Sequence, residues 1–244
     1  MPPSANRRLA QTLGRRGNIV PSRAIPDIIS IVGTSYFQPV ADLIERMLKH
    51  EPVANNSSRT GHFENGYAAA ITVLLVAILE SFVSRVRFLP NAEVIPGKDV
   101  PDQLEIFFPD LPYKAELTEV FLVRNIVVHN HVWHLALGEE TEPGATTLAT
   151  PKDLKFQTKK TYDTIVNLAE RKTHLLGLSA SPTSVDRYDV GVVFGVVWET
   201  LEFMNEKNYS HTPLAGQAVK FGGKHCQFSD LAKILPSGRP SAAA

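Results

Sequence analysis

Two side chains that could do chemistry on a phosphate stand five positions apart in an apolar stretch. Arg124 carries a guanidinium that stays protonated, and His129 carries an imidazole, the side-chain type that titrates near neutrality. A fixed cation suits a phosphate that gains negative charge, and an imidazole suits moving the proton of the attacking group. Together these residues could form a metal-free site for a phosphodiester.

A single long helix is predicted to carry this site. Apolar residues recur at helical spacing from Tyr113 to Leu137, with Pro112 before the pattern and Gly138 after it. Proline is common at a helix start and glycine just past a helix end. We therefore expect the whole stretch to be continuously helical.

Helical spacing sets how the polar residues face one another. At about 100° per residue, Asn125 and His129 lie one turn apart on the same face, and Trp133 continues that face. Arg124 lies about 100° around the helix from Asn125, so that the side chains can reach one phosphate from two sides. The Asn125 amide is expected to hold the His129 ring in one orientation.

The motif Arg124-Asn125-x-x-x-His129 resembles the arginine, polar residue, three residues, histidine signature of the HEPN superfamily. HEPN domains are all-α bundles, and many are metal-independent endoribonucleases. The number of residues between the arginine and the histidine varies from four to six in the family. His131 therefore fits the motif as well, and the choice between His129 and His131 stays open.

Two further stretches extend the resemblance to the region from Phe63 to Leu178. The apolar run from Gly66 to Arg85 is similar to the first HEPN helix, including an acidic residue, Glu80, among alanine and leucine. A helix predicted from Lys152 to Leu176 is similar to the one that closes the bundle. The resemblance thus implies three long helices around one site.

Glu80 is predicted to support the site. Its helix is apolar nearly all round, which indicates burial at the bundle centre. A buried carboxylate must be paired or hydrogen-bonded, and Arg124 on the facing helix is the expected partner. A local pair between Glu80 and Arg85 is the alternative.

The chain is expected to divide into four parts around an all-α HEPN-like helical bundle. Residues 1–35 form a basic, partly disordered segment, and residues 36–61 hold an appended helix and a loop. Residues 62–206 form the HEPN-like domain with an extra C-terminal helix, and residues 207–244 form an extension that is disordered at its end.

The appended helix and the extra helix both follow from apolar spacing. The first is predicted from Tyr36 to His50, and the second from Arg187 to Asn205 with Asp186 as its cap. Gly191 and Gly195, four positions apart in the extra helix, permit close packing on that face.

The segment from Leu89 to Pro112 contains five prolines, which exclude regular helix across most of it. Four apolar residues in its second half are expected to anchor it over the bundle: Leu104, Ile106, Phe107 and Phe108. The stretch from Glu139 to Thr150 is predicted to be a loop.

Charge and cysteine content limit the functions and compartments that the sequence suggests. The net charge is zero, but residues 1–26 carry five arginines and no acid, so the remainder holds 25 − 5 = 20 basic against 25 acidic residues. Attraction of the whole surface to RNA should therefore be weak and any binding local. The chain has a lone cysteine, Cys226, which favours a cytoplasmic protein. It has no apolar run of roughly 18 residues, so no membrane span is expected.

A metal site is the competing use of the histidines. On one helix His129 and His131 lie about 200° apart, so that these two and His134 cannot share a face. No nearby Cys, Asp or Glu completes a zinc site around His131 and His134. We therefore expect neither a metal nor a cofactor.

The expected function is RNA cleavage by attack of a ribose 2′-hydroxyl on the adjacent phosphate. The resemblance implies a homodimer whose motif helices meet at one cleft. It also implies a link to toxin–antitoxin or antiphage defence systems, with an antitoxin or other regulatory partner. Two alternatives stay open: a non-catalytic HEPN-like module that binds a nucleotide or partner protein, and a purely structural helical protein.

Overall fold

The protein is mostly helical. The computed structural model describes residues 31–52, 63–88, 99–129, 133–137, 146–151, 156–208, 212, 214 and 217–236. Its α-helices are α1 (Phe37–Leu48), α2 (Phe63–Phe88), α3 (Val100–Phe107), α4 (Lys114–His129), α5 (Phe156–Ile165) and α6 (Arg187–Lys207). Two 3-10 helices flank this set, Val32–Tyr36 and Phe228–Lys233.

The strands form three separate antiparallel pairs. They are β1 (Trp133–Leu137) with β2 (Thr146–Pro151), β3 (Val166–Asn167) with β4 (Lys172–Thr173), and β5 (Ala218–Phe221) with β6 (Lys224–Gln227). No larger sheet forms among the described residues, so helix packing supplies the core.

The core is built around α2, which packs against α1, α4 and α6. Apolar residues cover most of its circumference, and those facing the other helices are fully buried. Their removal from water is the main favourable term for this arrangement. The largest fully buried side chains include Phe82, Phe194, Phe228, Ile44, Met47 and Ile71.

By length and composition, α2 is also the one described helix that could cross a membrane. Core helices of globular proteins meet the same test, and half of its most apolar window is buried inside the molecule.

The predicted first helix is confirmed, and it belongs to the main core. Val40, Ala41, Ile44 and Met47 recur at helical spacing, and all four are fully buried against the same cluster as α2. The division of the chain into an appendage and a core domain stays a prediction, although α1 and α2 share one core.

The start of α6 is tied to the start of α2 and the end of α1. Glu64 is 1 % exposed and accepts from Nε of Arg187 at 2.6 Å, and Nη2 of Arg187 donates to the carbonyl of His50 at 2.6 Å. Asp186 caps α6 as predicted, with its side chain accepting from the N–H groups of Tyr188 and Asp189. Three helices therefore meet at this end of the bundle.

The predicted continuous helix from Tyr113 to Leu137 is wrong beyond His129. Helix α4 ends there, and Trp133–Leu137 pairs as a strand with Thr146–Pro151, part of which was predicted to be loop. The sequence Trp-His-Leu-Ala-Leu alternates between larger apolar and other residues, a period of two that suits a strand. The threonine-rich partner has the β-branched residues that strands favour.

The predicted helix from Lys152 to Leu176 is wrong in its second half, where β3 and β4 replace it. Asn167 Oδ1 accepts from the N–H groups of Ala169 and Glu170 at 3.0 and 3.3 Å, which gives the backbone a turn in place of helical bonds. Arg171 completes the turn in the left-handed region, with φ 55°.

The proline-rich segment holds a helix that its composition did not predict. Asp99 caps α3, accepting from the N–H of Asp102, and Pro101 lies in the first turn, where its missing N–H costs no hydrogen bond. Of the four predicted anchors, Leu104 and Phe108 are buried and Phe107 is half-buried, whereas the prediction is wrong for Ile106, which is exposed. Residues 89–98 lie outside the described part.

The extension after α6 folds back onto the core through β5, β6 and the second 3-10 helix. Pro236, the last residue that the structure describes, lies against Gly191, where an added Cβ would come within 2.2 Å of the Pro236 carbonyl oxygen. An added Cβ at Gly195 would meet nothing within 4 Å. Of the two predicted packing glycines, Gly191 alone has a close neighbour in the described part. The predicted disorder from Ser237 onward lies outside it.

Gly191→Ala should lower the free energy of unfolding by about 1–3 kcal/mol, because the new methyl group overlaps backbone that must move. Gly195→Ala is the matched control and should raise it by up to about 1 kcal/mol through helix propensity. Urea denaturation of both variants checks this. Equal effects would show that the contact with Pro236 does not constrain α6.

Candidate phosphodiester site

An ion pair between α2 and α4 lies at the centre of the candidate site. Nη2 of Arg124 donates to Oε1 of Glu80. The expected pairing is therefore present, and the described ion pairs include none between Glu80 and Arg85. The expected full burial of Glu80 is wrong: its side chain is 38 % exposed, against 18 % for Arg124. The pair thus lies where α2 and α4 meet solvent.

The Arg124 guanidinium is held from more than one direction. Its Cζ lies 5.3 Å from the centroid of the Phe121 ring, within cation–π range. Its Nε is buried and has no hydrogen-bond partner among the described residues. The cation is therefore fixed by Glu80 and Phe121, and its exposed fraction is what remains for a ligand.

His129 is the last residue of α4 and is exposed, while Asn125 is half-buried. The five residues from Arg124 to His129 correspond to a rise of about 7.5 Å and a rotation of about 140°. Asn125 and His129 share a face as predicted, but no hydrogen bond joins them within the described part of the chain. The orienting role of Asn125 stays a prediction.

The other two histidines cannot extend this helix face. His134 lies on β1, so its predicted helical position is wrong, and His131 lies outside the described residues. The helical geometry used against a metal site therefore does not apply to His134. In the part of the chain that the structure describes, no three His, Cys, Asp or Glu residues lie close enough to hold a metal ion.

A second small core fixes the C-terminal half of α4. Leu122 and Ile126, one turn apart, pack against Tyr162 of α5, Val166 of β3 and Ala180. Burial raises the pKa of the Tyr162 hydroxyl, so the phenol stays neutral inside this cluster. These contacts set the direction in which α4 presents Arg124 and His129.

Glu119 adds a polar anchor that the sequence analysis missed. It is 3 % exposed, and its two carboxylate oxygens accept hydrogen bonds from the N–H groups of Leu175 and Leu176 at 2.8 and 2.7 Å. Hydrogen bonds to a charged acceptor are stronger than neutral ones. The turn after β4 is thereby tied to α4. An acid next to the apolar run from Val120 to Val123 was the available signal.

Two more arginines follow Glu80 on α2. Arg85 and Arg87 each have a buried Nε with no hydrogen-bond partner in the described ranges. Arg87 is seven residues after Glu80, so the two lie within about 20° of one another around α2. A rise of about 10.5 Å along the helix axis separates Arg87 from Glu80, and no described contact joins Arg87 to Arg124.

Comparison with known proteins identifies no relative. No protein-family model matches the chain, and neither the curated proteins nor the solved structures include a significant match.

A double-mutant cycle should detect coupling between Glu80 and Arg124. Combining Glu80→Gln with Arg124→Met should give a coupling energy of about 1 kcal/mol in the free energy of unfolding, because the pair is only partly exposed. The matched cycle of Glu80→Gln with Arg85→Met should give about zero. Coupling in the second cycle alone would restore the local pair as the correct assignment.

Proposed function

We propose that the protein is a metal-independent endoribonuclease with a HEPN-like bundle. The observation that supports this best is the Glu80 to Arg124 ion pair, which fixes the motif arginine at a solvent-facing helix junction. An exposed histidine follows at the end of the same helix. A held cation and an accessible proton carrier are the groups that a phosphodiester needs.

In the proposed mechanism, the His129 imidazole accepts the proton of a ribose 2′-hydroxyl. The 2′-oxygen attacks the adjacent phosphorus, and the bond from phosphorus to the 5′-oxygen breaks. The products are a 2′,3′-cyclic phosphate and a 5′-hydroxyl. Arg124 stabilises the negative charge that gathers on the phosphate oxygens, and Glu80 keeps Arg124 in place.

The departing 5′-oxygen also needs a proton, and one motif offers one proton carrier. We therefore propose that a second copy of the chain supplies the general acid across a two-fold axis, so that two equal helix faces form one cleft. His131 is the alternative imidazole in this scheme.

The proposal extends to biological context. RNA is the substrate, and an antitoxin or other regulatory partner would silence the nuclease in a toxin–antitoxin or antiviral defence system. The single cysteine, Cys226, suits the reducing cytoplasm as the site of action.

A non-catalytic module that binds a nucleotide or partner protein is the second candidate. Two observations favour it: Glu80 already neutralises Arg124, and no described hydrogen bond orients His129. A binding module would keep its affinity for a nucleotide or partner protein but release no RNA product.

His129→Ala should lower the rate of RNA cleavage by at least about 100-fold, the scale of general base catalysis. The fold should stay intact because this side chain is exposed. Arg124→Lys should fail similarly, because a point charge cannot replace the planar fork. Gel assays of RNA cleavage check both variants, with circular dichroism to confirm folding.

His174→Ala is the matched control, since it removes another exposed histidine and should leave the rate unchanged. Full activity in His129→Ala together with loss in His131→Ala would move the proton transfer to His131. Full activity in both variants would overturn the proposed mechanism.

A further inference from the structure

The end of α1 and the start of α2 meet through aromatic rings that the cleavage site does not use. The His50 ring stacks against Phe63 and against Tyr67, with centroids 5.5 Å apart in both pairs and planes inclined by 25° and 21°. These separations are typical of offset-stacked rings. Because Phe63 and Tyr67 are one turn apart on α2, they lie on the same side of that helix. The three rings therefore form one aromatic cluster.

Phe63 is the outer ring of this cluster. It is 74 % exposed, the largest exposed fraction among the large apolar side chains that meet solvent in the described ranges. His50 and Tyr67 are half-buried. At this exposure His50 covers only part of the Phe63 ring, so an open aromatic face meets solvent.

Backbone and ionic contacts fix the support of this ring. The N–H of His50 donates to the carbonyl of Met47 at 3.1 Å, and the His50 carbonyl accepts from Nη2 of Arg187 at 2.6 Å. Arg187 is paired in turn with Glu64, which follows Phe63 in the chain and is 1 % exposed. A preformed surface of this kind loses little conformational freedom when a ligand binds.

Charges around the cluster oppose one another. Arg46, one turn before His50, and Glu51, the residue after it, are both exposed, and neither forms an ion pair within the described ranges. Lys49 is paired with Glu45 at 3.1 Å. This balance gives little net attraction for a polyanion, so the open ring is the main source of binding energy at this surface.

We propose that the open face of Phe63 stacks a nucleobase of single-stranded RNA. The proposal rests on the proposed function for the identity of the polymer. Every base has a π face, and unpaired RNA bases stack on phenylalanine, tyrosine and histidine rings. The site therefore accepts any base. It supplies affinity that does not depend on net charge, in a chain whose net charge is zero.

The stacked base is remote from the bond that breaks. Phe63 and Glu80 are 80 − 63 = 17 residues apart on α2, which corresponds to a rise of about 25 Å and a rotation of about 260°. The contact is thus made by a nucleotide away from the scissile phosphate. Its loss should raise KM and leave kcat unchanged, because it stabilises bound substrate and transition state equally.

The test first measures affinity for RNA that cannot be cut. A fluorescein-labelled single-stranded RNA with 2′-O-methyl groups lacks the attacking hydroxyl, so its anisotropy reports binding alone. Phe63→Ala should raise Kd about tenfold, the scale of one lost base stack. The slope of log K against log salt should stay unchanged, because stacking releases no counterions. The fold should stay intact because the ring is mostly exposed, as circular dichroism can verify.

Phe88→Ala is the matched control, since it removes another phenylalanine of α2, 63 % exposed, and should leave Kd unchanged. Phe63→Tyr keeps a stacking ring and should bind like the wild type. Phe63→Leu keeps apolar bulk without a ring and should bind as weakly as Phe63→Ala. Wild-type affinity in Phe63→Leu, or equal losses in Phe63→Ala and Phe88→Ala, would overturn the stacking proposal.

Phe63→Trp reports the stack directly, because a base stacked on the indole quenches its fluorescence. Phe88→Trp contains the same two native tryptophans and serves as the reference. Saturating 2′-O-methyl RNA should quench the emission of Phe63→Trp more than that of Phe88→Trp. Equal quenching would mean that no base lies on the ring at position 63, and the proposal would fail.

Cleavage of unmodified RNA separates the two proposals. A wild type that cuts RNA and a Phe63→Ala variant with raised KM and unchanged kcat would support both. If the wild type cuts no RNA but Phe63→Ala loses affinity for 2′-O-methyl RNA, the nuclease fails and the stacking site stands. If the wild type binds no 2′-O-methyl RNA, or if Phe63→Ala binds it as well as the wild type, the stacking site is overturned.

Discussion

The structure depends on pairing the two acids that the apolar helix α2 carries, Glu64 and Glu80. An unpaired charge taken out of water costs several kcal/mol, so an acid that packing covers must be paired or hydrogen-bonded, and both acids of α2 take an arginine from another helix. Glu64, which is fully enclosed, takes Arg187 at the start of α6, and Glu80, which is partly enclosed, takes Arg124 in the middle of α4. These pairs specify which residues of α4 and α6 lie beside α2, while apolar burial supplies the stabilisation.

The candidate site follows from that constraint. Because Glu80 lies at the edge of the core, its partner Arg124 is fixed and still reaches solvent. The second small core around Leu122 and Ile126 then sets the direction of the last turn of α4, which ends at the exposed His129. A phosphate that enters must share Arg124 with Glu80. Such sharing would weaken the binding of the phosphate in the ground state, and the contact with Arg124 would strengthen as negative charge develops on the phosphate. This difference would suit catalysis, because only interactions that are stronger in the transition state accelerate the reaction.

The sequence predicted the elements whose signals are long and repeated. Helical spacing gave α1, α2 and α6, the Asp186 cap marked the start of α6, and the cost of a covered carboxylate gave the Glu80 to Arg124 pair. It did not predict the end of α4 at His129 or the turn at Asn167. A short apolar segment fits both the helical and the strand period, and local hydrogen bonds from side chains to the backbone decide between them. Glu119 was missed for a related reason: its place beside the apolar run from Val120 to Val123 indicates burial, but its partners are backbone N–H groups, which no side-chain pattern identifies.

The chemistry of the RNA ends tests the central claim most directly. Purified protein is incubated with a defined RNA in excess EDTA, and the products are identified by mass spectrometry. Cleavage that persists and leaves a 2′,3′-cyclic phosphate and a 5′-hydroxyl is the predicted result, because the nucleophile is already part of the substrate and needs no metal to activate it. A matched DNA strand should stay intact. Products with a 5′-phosphate and a 3′-hydroxyl, or cleavage that stops in EDTA and returns with zinc, would contradict the assignment of Arg124 and His129.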